Sequence, residues 1–349
     1  MDNNPLVELD GGTFHSRVYF SSPANAFDPP SAAIREPGII VCDENTIGLA
    51  SPYGDRFERV IVPPGERCKR FSVLEQLLER FIAADLTRDD TVVAFGGGAV
   101  TDLTVFAASI YLRCIHCVLV PTTLLGMVDA AIGGKTGIDF RGYKNLVGTF
   151  APAEEIRIVP ELLASLPERE FRSGLAEVIK AACLADSELF ELLKHDSSSV
   201  LRRDQRCIRT LVERAVRVKA EIVRRDLTEQ GDRAYLNLGH TFAHALEAVV
   251  GLGEWTHGEA VGWGIARAMY AGVEIGITDP AWADEVISLL HVYGYRTTPV
   301  DVQPEALLHA MYRDKKRSGG AIRFVLQRGP QSNMLESLER SVIIDILNR

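Results

Sequence analysis

The sequence predicts an α/β protein of two domains, and three observations carry the prediction. Short β-branched runs alternate with helical periodicity through the first half of the chain. From about Pro160 the pattern turns helical, with no strong strand until Ala321–Leu326. The length, 349 residues, exceeds what one hydrophobic core usually serves. Together these give an N-terminal Rossmann-like α/β domain over residues 1–160 and a mainly α-helical domain over residues 161–349. The Pro-containing stretch Val159–Pro167 marks the boundary.

The strands of the first half are expected at Ser16–Phe20, Gly38–Cys42, Arg59–Val62, Thr91–Phe95 and Cys117–Val120, each bounded by turn residues. Between them Ser72–Ala84 and Val100–Tyr111 place apolar residues at helical spacing. Such alternation builds an open sheet with right-handed crossovers, which binds ligands at the carboxyl ends of its strands. In the second half Phe171–Ala185, Ser187–His195, Ile208–Arg225, Asn237–Val250, His257–Ala271 and Pro280–Tyr293 read as helices.

Composition narrows the function classes. The hydrophobic fraction is 46% and the charged fraction 24%, as in soluble globular proteins. A net charge of −9 leaves no basic stripe to neutralise nucleic-acid phosphates, though a few local lysines can still hold a small anion. No stretch reaches the ~18 apolar residues of a membrane span. The N-terminus lacks the basic and apolar regions of a signal peptide. The six cysteines form no paired framework. Cys114 and Cys117 have CxxC spacing but fall in the apolar run Ile110–Val120, which reads as a buried strand rather than a redox or metal pair. Reduced thiols and a cytoplasmic location are expected.

The strongest chemical signal is the run His240-Thr241-Phe242-Ala243-His244 with His257 beyond a short glycine-containing loop. Residues four apart share a helix face. Upstream, Glu177 and Lys180 share a face of an apolar helix, so they read as an internal pair rather than a solvated one. One Glu and two His with an open fourth position make a catalytic rather than a structural zinc site. Lys219, Glu229, Arg233 and Asn237 lead into that region.

The first half carries a second site. Gly96-Gly97-Gly98 ends a strand and opens a helix, where bare backbone and helix N-terminal amides suit a pyrophosphate. It is not a GxGxxG fingerprint, and a tight turn alone would explain it. Asp43 ends an earlier strand where a carboxylate can hold a ribose hydroxyl, and Glu66 and Lys69 lie in a loop that would complete such a pocket. Thr122 and Thr123 lead to Asp129, and glycine pairs around Lys135 predict a loop that lets its amine reach an anion. The spacing is not that of a P-loop.

Taken in order, GGGAVTDL, VPTTLLGMVDAAIGGKTGID, KNLVGTF, SGLAEVIK, LNLGHTFAHALE, HGEAVGWG and RDKK resemble the 3-dehydroquinate synthases of the sugar phosphate cyclase superfamily, from Asp43 to Lys316. The resemblance implies a homodimeric lyase using NAD+ and a divalent metal, Zn2+ or Co2+. It would turn 3-deoxy-D-arabino-heptulosonate 7-phosphate into 3-dehydroquinate and phosphate, in the shikimate pathway. It implies Glu177, His240 and His257 as metal ligands. It implies Asp43, Asn45, Glu66, Lys69, Gly97, Gly98, Asp102, Thr122 and Thr123 as NAD contacts. Lys135, Lys180, Lys219, Arg233, Asn237 and His244 would be catalytic, and Arg113, Asp129, Lys144, Asn145 and Lys315 or Lys316 would bind substrate. The helical domain is thus the expected metal- and substrate-binding domain.

Four positions depart from the family pattern. Thr101, Val105, Cys114 and Tyr143 stand where glycine is common, and β-branched residues at the first two would crowd helix and cofactor. Other readings are a different sugar phosphate cyclase, such as an aminodehydroquinate, deoxy-inosose or valiolone-forming synthase, a metal-dependent polyol dehydrogenase, or a non-catalytic binding protein of this fold.

Overall fold

A computed structural model describes residues 4–10, 15–26, 37–50, 57–227, 229, 231–251, 253–318 and 322–349, with the side chains of 37 and 314–318 left out. The chain divides into two compact units, one of residues 1–167 and 219–228, the other of 168–218 and 229–349.

The first unit is built on seven strands. They are β1 (Val7–Asp10), β2 (His15–Phe20), β3 (Pro37–Asp43), β4 (Glu58–Val62), β5 (Thr91–Gly96), β6 (His116–Pro121) and β9 (Glu155–Ile158), in the sheet order β1-β2-β9-β6-β5-β3-β4. Every pairing is parallel except β1 with β2. β5 is buried along its whole length, which explains its near-continuous apolar run. β4, at the sheet edge, alternates instead, with Val60 and Val62 buried and Ile61 exposed. Among the described residues its α-helices before residue 168 are α1 (Ile47–Ala50), α2 (Phe71–Ala83) and α3 (Gly98–Ile110). α2 buries Val73, Leu74, Leu77 and Phe81 along one stripe. From β3 the chain steps outward to β4, then returns to lay β5 on the other side of β3. The carboxyl ends of β3 and β5 therefore flank the crevice where the strand order reverses.

A two-stranded antiparallel hairpin, β7 (Lys135–Phe140) and β8 (Tyr143–Phe150), stands apart from this sheet. The expected loop around Lys135 is thus corrected: Lys135 opens a strand. Its turn, Arg141-Gly142, has positive φ at both residues (49° and 80°), the twist that a tight hairpin requires. A second correction concerns Cys114, which lies exposed at φ 114° outside any strand, while Cys117 is buried in β6. All six cysteines are unpaired.

The second unit is helical: α4 (Glu168–Ala185), α5 (Ser187–His195), α6 (Ser197–Leu201), α7 (Gln205–Arg225), α8 (His240–Val250), α9 (His257–Glu274), α10 (Pro280–Val292), α11 (Pro304–Ser318) and α12 (Arg340–Asn348), with α7 ending in the first unit. A small hairpin, β10 (Phe324–Gln327) with β11 (Asn333–Glu336), completes it. α9 buries Trp263, Ile265, Arg267 and Met269 on all sides, so it is the central helix of the unit. The helix expected from Asn237 begins only at His240. Asp232–Asn237 form a 3-10 turn, and Gly239 breaks the path at φ 79°. A Cβ there would sit 2.6 Å from the Ile265 amide nitrogen, so the turn admits only glycine.

Candidate active site

In the second unit α4 supplies Glu177, α8 His240 and α9 His257. The packing that unites them depends on Gly258: a Cβ there would lie 2.0 Å from the Ser173 carbonyl oxygen. The Gly258 N–H instead donates to Ser173 Oγ at 3.0 Å, drawing the first turn of α9 onto α4. That turn carries a capping box, in which Thr256 and Glu259 satisfy each other's backbone N–H groups. Gly239, one residue before His240, likewise lets α8 start against α9.

The outcome is a three-residue cluster whose ligand atoms lie within 4.8 Å of one another. Glu177 Oε1 is 3.6 Å from His240 Nε2 and 3.4 Å from His257 Nε2. Neither carboxylate oxygen of Glu177 has a hydrogen bond, although Lys180 pairs with it as an ion pair. A buried, under-coordinated carboxylate is the environment a cation would relieve. His240 Nδ1 lies 3.2 Å from the Leu238 carbonyl, and His257 Nδ1 lies 3.5 Å from Glu247 Oε2. Each partner fixes the Nδ1–H tautomer and leaves Nε2 as the lone-pair donor. Burial, with Lys180 close by, drives His240 well below its ordinary pKa, so it is neutral. Burial opposes charge on His257 too, but Glu177 and Glu247 outweigh it and raise the group to about 9. Ligation there would displace a proton. One oxygen and two imidazole nitrogens fit zinc or a similar divalent ion.

Other expected residues lie in the same unit. The internal Glu177–Lys180 pair is found as read, with side chains 1% and 4% exposed. His244, one turn along α8, has its ring 5.4 Å from that of His240. Arg233 is buried in the 3-10 turn, and Asn237 Nδ2 donates to Glu229 Oε1 at 2.8 Å. Glu247 was not singled out from the sequence, because a carboxylate seven residues into a helix reads as a solvated position. Its spacing from His240 and His244, which puts it on their face, is the signal that would have found it.

The first unit gathers the expected cofactor residues at the carboxyl ends of adjacent strands. Asp43 closes β3, Gly97 caps α3 after β5, and Thr122 and Thr123 follow β6. Asp43 Oδ1 accepts from the Asn45 and Thr46 amides and from Thr46 Oγ1, so Asn45 is held in the same turn. Lys69 is buried against Asp102 at 2.6 Å and also binds Asn145 Oδ1. Burial pushes Asp102 up to about 6 against the pull of Lys69. Glu66 lies one turn before Lys69 in the 3-10 turn Gly65–Cys68. Lys219 Nζ donates to Asp129 Oδ1 at 2.5 Å and to its carbonyl at 2.7 Å. Lys135 and Lys144 lie on β7 and β8. Arg113 sits in a turn where Leu112, Arg113 and Cys114 all have positive φ. Thr101 and Val105 are buried in α3, and Thr101 Oγ1 bonds back to the Gly98 carbonyl at 2.9 Å. Lys315 and Lys316 lie in α11, but their side chains fall outside the described residues.

Comparison with known proteins identifies the lineage. The family model for the 3-dehydroquinate synthase N-terminal region matches residues 59–173, and that for the C-terminal region matches 174–317. This chain belongs to the 3-dehydroquinate synthase family. The 3-dehydroquinate synthase of Teredinibacter turnerae is 41% identical over 276 residues, 79% of this chain and 76% of that protein. That of Caulobacter vibrioides is 44% identical over 282 residues, with the same shares covered. Among solved structures, a 2-epi-5-epi-valiolone synthase from Streptomyces hygroscopicus with NAD+ and Zn2+ bound superposes with a TM-score of 0.87 at 28% identity, covering 95% of each chain. Family membership makes the chain an enzyme of the α/β class that its sequence predicts.

Proposed function

We propose that this enzyme converts 3-deoxy-D-arabino-heptulosonate 7-phosphate to 3-dehydroquinate and phosphate. The observation that carries the proposal is the buried Glu177–His240–His257 cluster with both imidazole Nε2 atoms turned toward one carboxylate oxygen, in a chain of this family. The three residues would hold a divalent ion, Zn2+ or Co2+. The Gly97–Gly98 turn and the amides opening α3 would hold the NAD+ pyrophosphate, with Thr122 and Thr123 beside it, and Asp43 a ribose hydroxyl. When bound, NAD+ supplies a reversible hydride acceptor and the metal polarises a carbinol oxygen.

The chain's own groups would do the rest. Lys180, paired with Glu177 on the metal-facing side of α4, supplies positive charge where an alkoxide develops. Lys135, Asn237, His244 and Arg113 would take the phosphate and Arg233 the carboxylate, with Asp129, Lys219, Lys144, Asn145 and Lys315 or Lys316 completing substrate contacts. His244, edge-on to His240, is placed to relay a proton. A homodimer acting on a small sugar phosphate in the cytoplasm belongs to the same reading, supported by the family resemblance and by six unpaired cysteines. On this reading the first unit would bind the cofactor and the second the metal.

The test is a redox balance. Incubated with the heptulosonate phosphate, zinc and substoichiometric NAD+, the enzyme forms product over many turnovers with no net NADH. Stoichiometric NADH accumulation would instead make it a polyol dehydrogenase. An aminodehydroquinate synthase would prefer the amino analogue of the substrate.

A further inference from the structure

Lys69, Asp139 and Asn145 close a ring of hydrogen bonds within the first unit. The Asp139 N–H donates to the Lys69 carbonyl at 2.9 Å. Asp139 Oδ1 accepts from the Asn145 N–H at 2.8 Å. Asn145 Oδ1 accepts in turn from Lys69 Nζ, which also holds Asp102. Two features mark the ring. Asn145 has φ 50°, a left-handed conformation that asparagine adopts more readily than most residues, and its N–H is held there by Asp139 Oδ1. Asp139 itself sits where the β7–β8 register shifts, between Ile138 and Phe140, and such irregularities re-aim side chains.

We infer that Asp139 is a positioning residue for the reaction proposed above. Its carboxylate holds Asn145 in the left-handed conformation that aims Oδ1 at Lys69. The hairpin carrying Lys144 and Asn145 is thereby fixed to the Lys69–Asp102 pair. Without that acceptor, Asn145 relaxes out of the left-handed region and releases the Lys69 ammonium, which then turns toward Asp102 and Glu66, the other acids that face it. The inference rests on the proposed function, in which Lys69 and Asp102 meet NAD+ and the hairpin meets substrate. Asp139 acts through Asn145 and Lys69, not on the reacting atoms.

The experiment titrates NAD+ calorimetrically into the full-length protein and into D139A, D139N and N145A, then measures KM and kcat for the heptulosonate phosphate. D139A weakens NAD+ about tenfold and raises KM by a similar factor, as expected for a lost hydrogen bond to a charged group, while kcat stays within about twofold. D139N keeps an acceptor oxygen and restores both values. The D139A/N145A double variant is no worse than the poorer single variant, because both break one ring. Unchanged NAD+ affinity in D139A, equal damage in D139N, or additive losses would overturn the inference. If D139A fails to fold, D139N and N145A decide it: the inference requires a normal D139N and an impaired N145A, and any other pair of results contradicts it. NAD+ titration needs no turnover. A wild type that binds NAD+ but leaves the substrate intact therefore refutes the function alone.

Discussion

Replacing Lys180 with Met tests the metal site by taking away the cation that holds Glu177 in its absence. Met keeps the apolar stem and loses the charge. The Glu177 side chain is 1% exposed and that of Lys180 4%, so the pair is desolvated. Burial works against an ionised Glu177, and Lys180, with His257 and His240, overcomes it and holds the carboxyl well below the usual range. Neither carboxylate oxygen has a hydrogen bond to fall back on. Breaking a buried pair from one side costs about 3–5 kcal/mol, with protonation of Glu177 setting the upper limit. A divalent ion at Glu177, His240 and His257 restores the missing charge and, at a thousandfold excess over its Kd, adds about 4 kcal/mol. The K180M protein should therefore unfold at lower denaturant than wild type in chelator, and the gap should close in zinc. Closing that gap requires, by linkage, zinc binding about a hundredfold or more tighter in K180M, even though turnover is lost. Denaturant unfolding followed by fluorescence, with and without zinc, and a competition titration against a chromophoric chelator measure both. Equal midpoints in chelator, or weaker zinc binding, would refute the reasoning.

Three further outcomes are expected. E247A, which removes the partner of His257 Nδ1, should weaken zinc retention about 10–100-fold in chelator competition; an unchanged midpoint would remove Glu247 from the site. The raised carboxyl of Asp102 stabilises the NAD-free protein fully below its unfolded value of 3.8, and the contribution is lost as pH rises through about 6. Relative to D102N, wild type should thus lose up to about 3 kcal/mol across that window in denaturant melts, and parallel profiles would contradict it. C114G should raise the melting temperature by about 1–2 °C, since an exposed non-glycine residue at φ 114° stores on the order of 1 kcal/mol net of the entropy glycine adds. A lower melting temperature would show that Cys114 is held without strain.

The parts of this structure that could be read from the sequence are those where one physical pattern dominates. β5 and β6 are buried on both faces, so their β-branched runs are nearly unbroken. The ligand set could be read because Glu177 lies in an apolar helix and His240 and His257 open two successive helices. Other elements hide behind compensations. β9 is Glu-Ile-Arg-Ile, fully buried, yet its two charges look solvated because the Arg157–Glu155 pairing at 2.9 Å is not a pattern in sequence. The β7–β8 hairpin reads as loop because its strands carry glycine, lysine and a largely uncovered face. The start of α8 at His240 depends on the left-handed Gly239, a choice fixed by contact with Ile265 rather than by local propensity. Glu247 and Asp139 act by reaching one neighbour, and nothing local marks them.

The most direct test follows phosphate release and carbocycle formation together from the heptulosonate 7-phosphate, in wild type and in H257A, with zinc content measured on the same samples. The account predicts one phosphate and one 3-dehydroquinate per turnover in wild type, and an H257A protein that folds, binds NAD+ and retains neither zinc nor activity. Full zinc occupancy in H257A, or phosphate released without the carbocycle in wild type, would contradict it.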